Sequence, residues 1–312
     1  MKENVLCEHI RIEQSFQGLF GGPKSKTVSL IVDSVEYQIV IEQCMIRTII
    51  INASAPVSTS TMWDIFLALE KLLMLMEGRF FPVSNISISE ENASENDYSE
   101  IANMFISNRL AYYTTTPAYC YQDHCFLDYH EILDADLFTK WIDLQAELDI
   151  VHQNVLYNIA DTGVTTDVKC ANLIEVFEPL TEIINQYETF FPQLSPGDRG
   201  TTLKMCIDAV ICKYGKDIFE EEYCRNKEAF LRIVVNSRNR VMHIKRNQPS
   251  GKYLSGAESI LYMTKICHLY RVVILSILGV DYQLYRDKLI KSISAWNQWE
   301  KVLEKFLSQK LL

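Results

Sequence analysis

Two hydrophobic periods divide the chain. In its early part, apolar and polar residues alternate: "TVSLIVDSVEYQIVIEQ" and "CMIRTIIINASA" are rich in β-branched residues and separated by short polar breaks. That pattern predicts antiparallel strands. Gly18, Gly21, Gly22 and Pro23 mark an early turn or loop. "STSTMWDIFLALEKLLMLMEG" then changes to a helical period, with Ser or Thr to cap its start and Gly78 to stop it. "FFPVSNISI" returns to strand character, "SEENASENDYSE" is a polar loop, and "RLAYYTTTPAYCYQ" reads as a further strand with an aromatic edge.

From about Asp134 the period becomes helical throughout. Helices are expected over residues 137–159, 167–187, 201–213, 227–244, 255–278 and 282–307. The breaks carry Gly163, "PQLSPGDRG", Gly215, "NQPSGK" and Gly279. The expected fold class is α+β: a β-rich N-terminal domain over 1–133, followed by an all-α bundle over 134–312.

Composition agrees with a packed globular protein: of 312 residues, 48% are hydrophobic, 22% charged and only 8 are proline. The nine cysteines show no disulfide rhythm, and "MKENVLCEHIRIEQ" turns charged before a signal-peptide core can form. A reducing cytoplasm is the expected compartment. The apolar run at 66–76 is interrupted by Glu70 and Lys71 and is too short to span a bilayer, so no membrane association is expected.

Net charge changes the picture. At −10, the global field discourages nucleic acid, so an anionic partner needs a local basic patch. Residues 225–252 hold one: Arg225, Lys227, Arg232, Arg238, Arg240, Lys245, Arg246 and Lys252 stand against Glu228 alone.

That patch lies on and beyond a helix. At about 100° per residue, Leu231, Val234, Val235, Val241 and Met242 make an apolar stripe with Arg238 in its middle. Asn236, Asn239, Arg240 and His243 fall on other sides. An arginine in a core stripe is costly unless it is paired or faces a site. Two readings stand: a buried arginine–carboxylate pair, for which Asp208 is one candidate partner, or a cleft that meets an anion. His243 in the last turn is explicable by the helix dipole alone. The combination Arg238-Asn239-x-x-x-His243 is what points further.

In this motif the sequence resembles the HEPN superfamily, whose nuclease members carry Arg-x4–6-His, often with Asn after the Arg. "SGAESILYMTKICHLYRVVILSILGV" resembles the long helix that follows the motif in ApeA-type anti-phage HEPN proteins. "WDIFLALEKLLMLMEGRFFPVSNISIS" looks like the helix-then-strand segment of their N-terminal domain. Some HEPN toxins have Tyr two residues after the motif His; that position here is Lys245, so target-tyrosine modification is not expected.

The resemblance implies a defence or stress effector, cutting RNA without a metal or cofactor at a composite site where two HEPN domains meet. His243 would act as general base or acid, Arg238 would neutralise charge on phosphorus, and Asn239 would orient His243 or contact phosphate. Arg232, Arg240, Lys245 and Arg246 would dock RNA phosphates. On a straight helix Arg238 and His243 point about 140° apart, so either the helix bends or a homodimer through the bundle brings them together. The N-terminal domain would sense a trigger or bind a partner. The alternative is a non-catalytic HEPN-type module that binds RNA or protein through the basic helix.

Other features carry less. "CYQDHC", with His130 beyond, is spaced too widely for a zinc knuckle. Glu220, Glu221 and Glu222 precede the motif helix, where acids are ordinary electrostatics. No phosphate-binding loop, dinucleotide fingerprint or nucleophile elbow is present.

Overall fold

The computed structural model describes residues 6–15, 23–44, 46–81, 83–89, 125–159, 165–194, 201–243, 252–295 and 298–312. The expected strand in "RLAYYTTTPAYCYQ" and the early glycines lie outside these residues. The chain divides into two compact units, 1–145 and 146–312.

The first unit is built on a five-stranded antiparallel sheet: β1 (Leu6–Ser15), β2 (Lys24–Val32), β3 (Val35–Gln43), β4 (Ile46–Ser58) and β5 (Val83–Ser89), in the order β2-β3-β4-β1-β5. Strands β2 and β3 meet in a two-residue turn at Asp33 and Ser34, whose φ values of 50° and 67° match the twist of the flanking strands. Strand β1, at an interior position, was not expected from the sequence. A bulge between Cys7 and His9 shifts its alternation, so Cys7 and then Ile10, Ile12 and Gln14 are the buried residues.

Helix α1 (Thr59–Glu77) packs on β4 and β1. Its ends follow the expected chemistry: Ser58 Oγ accepts the Thr61 N–H, and Gly78, at φ 68°, donates its N–H to the Met74 carbonyl. Buried Ile39, Ile41, Ile49, Ile51, Ile10 and Ile12 supply the sheet side of the core, and Trp63, Phe66, Leu69 and Leu72 the helix side. A polar knot sits inside this core. Arg47 Nη2 donates to Glu77 Oε1 (2.6 Å) and to Gln43 Oε1 (3.0 Å), and the guanidinium lies 4.8 Å from the Phe81 ring and 5.1 Å from Tyr129. After the short α2 (Tyr129–Ile132), Trp141 at the start of α3 (Ala135–Ile159) donates its indole N–H to the Ala68 carbonyl (2.7 Å).

The second unit is helical: the rest of α3, then α4 (Thr166–Glu175), α5 (Phe177–Ile183), α6 (Tyr187–Phe190), α7 (Leu203–Tyr214), α8 (Lys216–Met242), α9 (Ala257–Ile277), α10 (Arg286–Ser294) and α11 (Trp299–Lys310). A 3-10 turn at Tyr282–Leu284 precedes α10. The helix expected over 167–187 is three pieces. Pro179 has no N–H to donate to the Glu175 carbonyl, and the first piece ends there. The helix expected over 282–307 is likewise divided into α10 and α11.

Helix α9 is long and apolar enough to cross a membrane by length and composition, yet two-thirds of its most apolar window is buried, and it packs on α4, α7, α8 and α11. The rings of Phe230, Tyr262 and Phe306 join α8, α9 and α11, with centroids 4.8–6.4 Å apart. Within the same core, Lys265 of α9 pairs with the fully buried Glu222 of α8 (2.5 Å). Glu222 is therefore a structural partner rather than a surface acid at a helix start.

Candidate active site

The motif helix begins inside α8. Asn226 leaves helical geometry (φ −167°, ψ 86°), and its Oδ1 accepts the Ala229 N–H at 3.1 Å, a side-chain cap in the middle of one long element. From 227 to 242 the backbone stays helical. No bend therefore brings Arg238 and His243 to one side of their own helix.

The buried face differs from the expected stripe. Phe230, Leu231, Ile233, Val234 and Ser237 face the core, whereas Val235 and Val241 are half-buried and Met242 is 41% exposed. Ser237 occupies a core position because its hydroxyl is fully used: it donates to the Ile233 carbonyl (2.7 Å) and accepts the Leu254 N–H (2.8 Å). That second bond ties the chain after the motif back onto the motif helix. Arg238 consequently sits one residue off the buried line, with its side chain 20% exposed, and not in the middle of the core stripe.

Arg238 is paired, and the partner is Glu175 at the end of α4, not Asp208. Arg238 Nη2 donates to Glu175 Oε1 (2.6 Å) and Nε to Oε2, a two-pronged contact; Nη1 donates to Asn239 Oδ1 (2.9 Å). The Glu175 carboxylate, aided by the charge of Glu178 and opposed by partial burial, raises the already high Arg238 pKa further. Asp208 is used elsewhere, accepting from Tyr223 Oη (3.0 Å) and pairing with Lys227 (2.8 Å). The sequence reading missed Glu175: a carboxylate at a helix C-terminus opposes the dipole and calls for a cation, but a helix taken as continuous over 167–187 hides that end.

His243 is the exposed C-cap of α8, at φ −105° and ψ 9°, and its backbone N–H donates to the Asn239 carbonyl (3.1 Å). The Asn239 side-chain oxygen turns to Arg238. The helix end thus presents a Glu175–Arg238–Asn239 array on one side and an open imidazole on another.

The basic patch is less basic in space than along the chain. Arg240 Nη1 approaches Asp167 Oδ2 (3.4 Å), its guanidinium lies 4.1 Å from the Tyr253 ring centre, and Asp167 Oδ1 also accepts from Ser259 Oγ (2.7 Å). Arg225, Arg232 and Lys252 are exposed, while Lys245 and Arg246 lie outside the described residues. Of "CYQDHC" only Cys125 is described, and its thiol donates to the Leu127 carbonyl (3.4 Å).

Residues 175–284 match the family model described as Apea-like HEPN, a stretch that starts at the partner of Arg238 and takes in the whole motif helix and α9. No curated protein and no solved structure matches the chain. Pairing geometry, helical setting and family match coincide on one segment: residues 175–284 of this chain are similar to an Apea-like HEPN domain.

Proposed function

We propose that the chain is a metal-independent HEPN endoribonuclease of anti-phage defence or stress response, acting in the cytoplasm as a homodimer. The observation that carries this reading is the end of the motif helix, where an open His243 follows an Arg238 oriented by Glu175 and Asn239. Imidazole exchanges protons near neutral pH, so His243 takes the proton of a ribose 2′-hydroxyl or gives one to the leaving 5′-oxygen. Attack of that 2′-oxygen on phosphorus builds negative charge on the non-bridging oxygens. A guanidinium fixed in advance stabilises it without reorganisation. Glu175 takes two of the five Arg238 donors and Asn239 a third, which leaves two for phosphate.

One helix cannot bring the two groups to the same phosphate, and this favours a two-fold site in which each motif helix faces its copy. One His243 then serves as base and the other as acid. Light scattering at micromolar concentration should give twice the 36.1 kDa chain mass. The β-rich unit is assigned the sensing of a trigger or partner.

The test is incubation of the purified chain with total RNA in EDTA. Cleavage lost in His243→Ala supports the enzyme. Binding without cleavage supports a non-catalytic HEPN-type module that binds RNA or protein through the basic helix.

A further inference from the structure

We infer that Arg240, seated over the Tyr253 ring, is a stacking platform for a nucleobase of single-stranded RNA, set beside His243. The inference rests on the reading that RNA is the substrate and adds a base-binding subsite to it. The sequence alone casts Arg240 as a phosphate contact, and the structure argues against that role. Asp167 sits at the guanidinium edge (3.4 Å), so the pair carries little net charge and attracts a phosphate poorly. What the pair leaves open is part of the Arg240 side chain. The guanidinium carbon lies over the Tyr253 ring, 4.1 Å from its centre, the carboxylate contacts one terminal nitrogen, and a third of the side chain is still exposed (33%). A guanidinium between an aromatic ring and solvent is a surface on which a base stacks.

The platform is held rigidly. Lys310 of α11 donates to the Tyr253 carbonyl (2.7 Å) and pairs with Glu258 (2.5 Å), whose carboxylate also accepts the Ser255 N–H (3.1 Å). On the next residue, the Leu254 N–H is tied to Ser237 of the motif helix (2.8 Å). The aromatic base of the stack is therefore positioned before any ligand arrives, and little ordering cost remains for binding.

Its location fits a nucleotide at the reacting phosphate. Arg240 precedes His243 by three residues, about 60° round the helix and about 4.5 Å along it, whereas Arg238 is about 140° away. A ribose placed against His243 is within reach of the Arg240 side for its base.

The test compares a short single-stranded oligoribonucleotide with its abasic counterpart, by fluorescence anisotropy on the full chain. The intact protein should bind the base-bearing strand about tenfold more tightly. Arg240→Lys keeps the charge and removes the plane, so it should erase that difference while leaving affinity for the abasic strand unchanged. Tyr253→Leu should act in the same direction. Retention of the full difference in Arg240→Lys, or no base dependence in the intact chain, overturns the platform. Cleavage is scored separately: His243-dependent cutting without base dependence rejects the platform and keeps the nuclease, and base-dependent binding without cutting does the reverse.

Discussion

Arg47 and Arg238 are the same residue in the same kind of pair, and they are enclosed to different degrees. Arg47 is bound by Glu77 and Gln43 and enclosed by Phe81 and Tyr129, with 2% of its side chain exposed. Arg238 is bound by Glu175 and Asn239, with 20% exposed and its carboxylate 33% exposed. In the first pair every direction is occupied by protein, so the group fixes the core of the sheet unit. In the second, the carboxylate orients a guanidinium that still reaches solvent. What separates a structural ion pair from the proposed site is the open edge, not the presence of the partner.

That distinction is broken or sharpened by substitution. Arg47→Met should cost the most stability, about 3–5 kcal/mol, because it leaves the Glu77 carboxylate buried with only a long contact to Arg79 (3.5 Å). Urea denaturation of the full chain measures it. Next in size is Ser237→Ala, at about 2 kcal/mol, since the buried Leu254 N–H loses its acceptor. The same change should loosen the Tyr253 segment, visible as faster amide exchange at Leu254.

Arg238→Ala should cost only about 1 kcal/mol by the same denaturation assay, as expected for a pair in partial contact with water. Its RNA cleavage should nevertheless fall to background. If Arg238→Ala proves as destabilising as Arg47→Met, the two pairs are alike and the contrast fails.

The smallest effect belongs to an exposed pair, Asp217 with Arg286. The Arg286 hydrogen bond, joined by Tyr282 and opposed by slight burial, holds the Asp217 carboxyl below its ordinary 3.8. Its stabilising contribution is complete above that value and is lost as pH falls through the lower folded pKa. Asp217→Asn should therefore lower the urea midpoint slightly at neutral pH and not at strongly acid pH.

Local chemistry was readable from the sequence and distant chemistry was not. Ser58, Gly78 and the alternation of β2 to β4 act within a few residues of themselves, so α1 and most of the sheet were expected. Strand β1 escaped because its bulge shifts the buried phase between Cys7 and Ile10. The motif Arg238-Asn239-x-x-x-His243 was visible as a pattern. Its electrostatics were not, because the acids that answer Arg238 and Arg240 lie 63 and 73 residues earlier. Charge counted along 225–252 records eight cations against one acid; folding brings Glu175, Asp167 and Asp208 among them. The core face was misplaced for a related reason. Ser237 looks polar until its two backbone partners are known.

The central claim, that the motif helix cuts RNA through His243, is tested most directly by the ends it leaves. RNA treated with the purified chain in EDTA should end in 2′,3′-cyclic phosphate and begin with 5′-hydroxyl, because the 2′-oxygen is the nucleophile. His243→Ala should leave the same RNA uncut. Fragments bearing 5′-phosphate and 3′-hydroxyl ends, or cutting undiminished in His243→Ala, would contradict it.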